Sequence, residues 1–318
     1  MSHLQDSTGI FQRYKSNPIL TARDWPYPVN TVFNAGATRF KDGTLLLVRV
    51  EDRRGISHLT VATSQDGKTN WQIDPQPTFM PDPENYPEEI WGIEDPRITY
   101  LDEVQQFAIV YTAYSENGPL VSLATTKDFK SFQRCGALTH PENKDAALFP
   151  KKIDDHWTLI HRPVYGGGQA HIWIASSPDL VHWGRHRILI HARQGGWWDA
   201  NKIGLNCPPI ETSEGWLVFY HGVRTHASGS IYRIGLALLD LENPSQVIRR
   251  SQQWVLGPQL PYERTGDVPD ANFPCGAVVD DATGELHLYY GAADTCMALA
   301  TAKLDDILDF LKHDSADE

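Results

Sequence analysis

The chain has 318 residues, 41% of them hydrophobic, a formal net charge of -12 and a mean hydropathy of -0.39. The acidic balance excludes nucleic acid as a partner, which would need a basic stripe. No apolar run approaches the roughly 20 residues of a membrane helix, so no membrane partner is expected.

The N-terminal segment MSHLQDSTGIFQRYKSNP lacks the apolar stretch of a secretory signal, which points to a cytoplasmic protein. Beyond it the chain repeats itself. A β-rich run of small and apolar residues ends in a turn on Asp in LTVATSQDG (Asp66), VSLATTKDF (Asp128) and IWIASSPDL (Asp179). Looser forms follow in IGLALLDLENP (Asp240) and MALATAKLDD (Asp305), at intervals of 51 to 65 residues. The first unit reads as strands NTVFNAGATRF, TLLLVRVED and HLTVATS, broken by the turn signals KDG and RRG. The second reads RITYL, QFAIVYTAY and LVSLATT; the third AALFPKKI, HWTLIHRP and HIWIASS. The fourth reads PPIETS, GWLVFYHGV and YRIGLALLD, and the fifth CGAVVDD, ELHLYYGAAD and CMALATAKL. Only the ends look helical, notably LDDILDFLKH. Units of this size cannot bury both faces of a sheet alone, but five arranged radially can. The expectation is an all-β, five-bladed β-propeller forming one catalytic domain over 1–318, with a short N-terminal extension and a C-terminal helix. A β-sandwich is the alternative, and it gives no reason for five similar units.

A propeller brings the innermost strands to one channel. Polar residues near the start of each unit, or after its second strand, would meet there: Asn34, the run Arg49 to Arg54, Glu94 and Asp95, Lys144 and Asp145, His161 and Arg162, His221 and Asp294. In GIEDPR (92–97) Pro96 fixes φ and stiffens the turn that carries Asp95. That Asp is either part of a salt-bridged turn with Arg97 or a general acid for a leaving glycosidic oxygen. Lys144, Arg162, Lys202, His221 and Tyr232 recur at related places in the third and fourth units. In an acidic protein they read either as ion pairs between blades or as an anion site. RVEDRRG (49–55), with Arg49, Asp52 and Arg53, suits an ion-pair ladder or sugar hydroxyls equally. Trp197 and Trp198 in GGWWDANKIG are core residues or a sugar platform, and GGG at 166–168 reads as a flexible hairpin, since no GK[ST] follows. Cys135, Cys207, Cys275 and Cys296 lie far apart and read as reduced thiols, and neither they nor the 13 histidines suggest a metal site.

FNAGATRF, RVEDRRG, GIEDPR, KDAALFPKKI, HRP, NKIG, YHGV, YRIGLALLDL and YYGAADT, in this order, resemble glycoside hydrolase family 130 over about residues 15 to 310. The resemblance implies a five-bladed propeller and an inverting phosphorylase that cleaves β-mannosides with inorganic phosphate to give α-mannose 1-phosphate. It places the catalytic acid on Asp95, with its proton delivered through the 3-hydroxyl of the mannosyl unit. Phosphate would be held by Lys144, Arg162, Lys202, His221 and Tyr232, and the mannosyl unit by Asn34, Arg53 and Asp294, with Arg49 and Asp52 as weaker candidates. Phosphate is then a co-substrate, and no cofactor is expected. Many members have Arg-Asn where this chain has Lys144-Asp145. Lysine supplies the charge without the fork, and Asp145 puts a negative charge near the anion. That substitution keeps an inverting β-mannosidase, with Asp145 or Glu94 assisting water, as the alternative. Linkage and acceptor would be set by loops such as 76–91 and 164–170, and a homo-oligomer is compatible with the sequence.

Overall fold

The computed structural model describes residues 8–164 and 169–315, so the glycine hairpin expected at 166–168 lies outside the described residues. Five separate antiparallel sheets follow one another along the chain. The first comprises β2 (Thr31–Phe40), β3 (Gly43–Glu51), β4 (Ser57–Ser64) and β5 (Gln72–Ile73). The second comprises β6 (Ile93–Leu101), β7 (Gln106–Ser115), β8 (Gly118–Thr126) and β9 (Gln133–Ala137). The third comprises β10 (Asn143–Leu148), β11 (Trp157–Pro163), β12 (Ile172–Ser177) and β13 (Gly184–Ile190). The fourth comprises β14 (Lys202–Leu205), β15 (Ile210–Thr212), β16 (Gly215–His226), β17 (Gly229–Leu239) and β18 (Val247–Arg250). In the fifth, β19 (Asn272–Asp280), β20 (Glu285–Ala292) and β21 (Cys296–Lys303) are completed by β1 (Gln12–Arg13) from the other end of the chain. These are the five blades of a β-propeller.

The repeated Asp is a turn maker. Asp66, Asp128, Asp179 and Asp240 each follow the third strand of a blade and accept two backbone N–H bonds within the next three residues. Such a carboxylate turn reverses the chain into the fourth strand. Asp305 differs: it lies in the first turn of the C-terminal helix (Leu304–Asp314). A fourth strand is not needed there, because β1 takes the outer edge of β21 through Gln12 and Thr301.

The core lies between blades. Along β3, Leu45 and Leu47 pack toward blade 2, whereas Leu46, Val48 and Val50 pack toward blade 5, as the two-residue period of a strand dictates. Each of the five buried clusters spans one pair of neighbouring blades, and the cluster between blades 4 and 5 also receives Ile307, Leu308 and Leu311 of the helix. The fourth unit departs from its expected strands. Its innermost strand is Lys202–Leu205, while PPIETS yields only β15, a short pairing with the near end of β16. Pro208 and Pro209 cannot donate to the ladder, so the strand breaks between them.

Candidate active site

The innermost strands are β2, β6, β10, β14 and β19, and four of them carry a bulge at the same level, between Phe33 and Gly36, Glu94 and Arg97, Lys144 and Ala147, and Pro274 and Gly276. In blades 1 to 3 the extra residue is Asn34, Asp95 or Asp145, with φ of 48°, 49° and 53°. Asn and Asp tolerate this left-handed conformation better than other side-chain-bearing residues. A bulge turns a side chain out of the ladder and re-aims it. The sequence therefore places three short polar groups at equivalent points around the channel, and Asn34 Nδ2 donates to Asp95 Oδ1 at 3.0 Å between blades 1 and 2.

Asp95 is 2% exposed. Arg49, on β3, donates from Nη1 to the same Oδ1 and from Nη2 to Glu94 Oε1, both at 2.9 Å, and its Nε–H goes to Ser57 Oγ. Both hydrogen bonds to the Asp95 carboxylate among the described residues fall on Oδ1. Burial opposes ionisation of Asp95, but Arg49, Lys144, Arg97 and the Asn34 amide together hold it below the usual carboxylate range. Asp294, in the turn between β20 and β21, behaves oppositely. Burial, reinforced by the charges of Asp95 and Glu94 and resisted by Arg49 and Lys144, pushes it up to about 7.

The cation-rich half of the site lies across blades 3 and 4. Arg162, 5% exposed on β11, donates through Nε and Nη2 to Asp145 Oδ2 at 2.8 and 2.6 Å. Against the cost of burial, Arg162, His221, Lys144 and Arg97 keep Asp145 ionised. Lys144 is half-buried among charges, and Asp145, Glu94 and Asp95 outweigh the cost of burial and raise it. His221 Nδ1 donates to Asn206 Oδ1 (2.9 Å), and Nε2 lies 3.5 Å from Asp145 Oδ2. Burial lowers its pKa to about 3, with Arg162, Lys202 and Arg97 pushing the same way against Asp145. Lys202 Nζ lies 5.2 Å from the centre of the Tyr232 ring, and Phe273 packs against His221 at 4.7 Å. Gly204 is required by this packing, because a Cβ there would collide with Asp145 Oδ2 and the His221 ring.

Arg97 joins the halves. It is 1% exposed, donates Nη1–H to Asp95 O (2.8 Å), Nε–H to Asn206 O (2.9 Å) and Nη2–H to Leu205 O (3.1 Å), and reaches within 3.6 Å of Asp145 Oδ1. A guanidinium can satisfy several fixed acceptors at once, and here it ties blade 2 to blade 4 beneath the site. The Asp-Pro-Arg turn is thus both a braced structural element and the seat of Asp95.

Asp52 and Arg53 sit on the β3–β4 hairpin. Asp52 accepts the backbone N–H groups of Arg54 and Ile56 and the Arg54 guanidinium, which commits its carboxylate to the hairpin turn, and Arg53 is exposed. Asn206 was not singled out by its sequence, yet directly after β14 its carbonyl accepts from Arg97 and its side-chain oxygen from His221. It stands just beyond the short strand β14, which the sequence reading had not placed.

The family model described as β-1,4-mannooligosaccharide phosphorylase, glycoside hydrolase family 130, matches residues 9–313. The chain belongs to glycoside hydrolase family 130. It is 34% identical to a β-1,4-mannooligosaccharide phosphorylase of Ruminococcus albus over 98% of this chain and 93% of that protein. It is 40% identical to a β-1,2-mannobiose phosphorylase of Listeria innocua over 80% of this chain and 68% of that protein. A solved structure of a Listeria innocua β-1,2-mannobiose phosphorylase in complex with β-1,2-mannobiose superposes with a TM-score of 0.86 at 32% identity, covering 95% of this chain and 99% of that one. Family 130 relatives of this kind share the propeller and a mannoside substrate, while differing in linkage.

Proposed function

We propose that the chain is an inverting glycoside phosphorylase that cleaves β-mannosides with inorganic phosphate to give α-mannose 1-phosphate. The observation that carries this reading is one continuous buried network: Asp95, held on its bulge by Asn34 and Arg49, connects through Arg97 to Asp145, Arg162 and His221. An acid and a group of cations therefore share one channel mouth.

In this mechanism phosphate lies against Arg162, Lys202 and Tyr232, with Lys144 between the two halves. A phosphate oxygen attacks the anomeric carbon of the mannosyl unit as the bond to the glycosidic oxygen breaks. The departing oxygen takes its proton from the sugar 3-hydroxyl, which takes one from Asp95. Asp95 is held ionised in the free protein, largely by cations. An anion bound beside Lys144 and Arg97 offsets that pull and favours the acid form when it is needed. Phosphate is already an anionic nucleophile, so no second carboxylate is required as base, unlike in the usual two-carboxylate hydrolases. Asp145, fully buried with Oδ2 committed to Arg162, is badly placed to activate water, which weighs against the mannosidase alternative. Asn34, Arg49 and Asp294 surround the position left for the mannosyl unit.

Product analysis on β-1,2-, β-1,3- and β-1,4-mannosides, with and without phosphate, tests the reading. Mannose 1-phosphate should appear only with phosphate, and Asp95→Asn, which keeps an acceptor for Asn34 and Arg49, should lose at least about a hundredfold in turnover. Equal release of free mannose in phosphate-free buffer would refute it.

A further inference from the structure

Trp198 of GGWWDANKIG lies on the face of blade 4 opposite to His221 and Tyr232, the face that packs toward blade 3. His221 and Tyr232 share one face, and the next residues along their strands, Gly222 and Arg233, are cross-strand partners on the opposite face. Trp198 covers that face. It is 6% exposed, its ring stacks on Tyr220 at 5.7 Å, and its indole N–H donates to Gln252 O at 2.8 Å. It occupies the space that a side chain at Gly222 or Gly235 would need, so it is a core residue.

Trp197 points outward and is 42% exposed. With Trp254 it lines an open groove of 630 Å³ between the 194–198 loop, the β16–β17 hairpin and the segment Gln252–Trp254. Both indoles are backed by guanidinium groups. Arg193 lies 4.5 Å from the Trp197 ring centre and Arg233 lies 4.4 Å from that of Trp254. Arg193 is itself anchored by Asp199 Oδ2 and Ser251 O, both at 3.0 Å. A stacked cation holds a ring in place, and a ring already held loses little freedom when a ligand lands on its other face. Exposed carboxamides of Gln194 and Gln253 stand on the same groove and offer both donors and acceptors. Fixed aromatic faces beside amides match a pyranose, which presents an apolar C–H face and a rim of hydroxyls.

We infer that this groove is a second carbohydrate site, which takes a neutral β-mannooligosaccharide against Trp197 and Trp254, on the face of blade 4 opposite to His221 and Tyr232. The identity of the sugar rests on the mannoside reading of the central site. The groove holds the chain near an enzyme molecule without taking part in bond cleavage.

Affinity electrophoresis of the full chain in native gels containing soluble β-mannan tests this, alongside phosphorolysis of a β-mannobiose. The wild type and Asp95→Asn should be retarded alike. Trp197→Ala should lose at least fivefold in retardation while its kcat/KM on the disaccharide stays within twofold of wild type. Gln194→Ala, on an exposed loop, should weaken retardation in the same direction and serves if Trp197→Ala does not fold. Retardation of both variants equal to wild type, or no retardation of the wild type, overturns the second site. A protein that is retarded through Trp197 but never releases mannose 1-phosphate would leave the groove standing and remove the phosphorylase reading instead.

Discussion

At the scale of single residues, the site works by pushing neighbouring carboxyl groups in opposite directions. Asp95 and Asp145 are kept ionised by cations, whereas Asp294 is raised to about 7, burial being the largest cause. Where two carboxylates share a site, the proton is held by the one with less cationic support. The sign of the consequence is fixed by linkage. A carboxyl group raised on folding favours the native state fully below its unfolded value, near 3.9, and that contribution is lost as pH rises through about 7. Asp294→Asn should therefore raise the thermal midpoint relative to wild type more at pH 8.5 than at pH 5, as read by calorimetry. If Asp294 holds mannosyl hydroxyls as an ionised acceptor, the wild-type KM for mannoside should fall as pH rises through 7. The Asn variant should lose that dependence. A flat wild-type profile would take Asp294 out of the sugar pocket.

At the scale of elements, the bulged inner strand is the unit that makes the site, and its tolerance is narrow. Gly204 on β14 lies against Asp145 Oδ2 and His221, so Gly204→Ala must displace one of them or the strand itself. The expected result is a rise of about tenfold or more in KM for phosphate, since a misplacement of about 1 Å can cost a hundredfold. Gly184→Ala, with open space around the new methyl group, should leave it unchanged. Unaltered phosphate saturation in Gly204→Ala would mean that the Asp145, Arg162 and His221 cluster does not face the anion. The same element shows what was legible in the sequence. Strand periodicity and the Asp turns revealed the blades, because they are local and repeat. The fourth inner strand escaped notice, because Lys202–Leu205 is four residues long and two prolines follow soon after. The commitment of Asp52 to its own hairpin was equally hidden, since RVEDRRG reads the same whether its charges point to a turn or to a ligand. The downward shift of His221 depends on burial among distant residues, which spacing cannot express.

At the scale of the whole molecule, five interfaces hold five blades, and the N-terminal segment reinforces the last one where β1 pairs with β21. That junction is locked by Arg13, which donates Nε–H and Nη2–H to Glu263 at 2.7 and 3.1 Å and a further N–H to Gly257 O at 2.6 Å, while Tyr290 donates to the same carboxylate at 2.8 Å. Both side chains of the ion pair are fully buried. A buried pair contributes little beyond a well-packed apolar pair, but removing one partner strands the other charge, at about 3–5 kcal/mol. Arg13→Met should thus destabilise strongly and expose the outer edge of β21, a template for unwanted pairing. Glu263→Gln alone should also destabilise, because Arg13 then keeps its charge without a counter-ion. Combined, the two changes leave no buried charge at the junction. Their joint cost in urea unfolding should fall short of the sum of the separate costs by roughly 1 kcal/mol or more, the size of coupling found between contacting groups. Strict additivity would show that the clasp is held by the β1–β21 ladder and its apolar neighbours, with the ion pair a bystander.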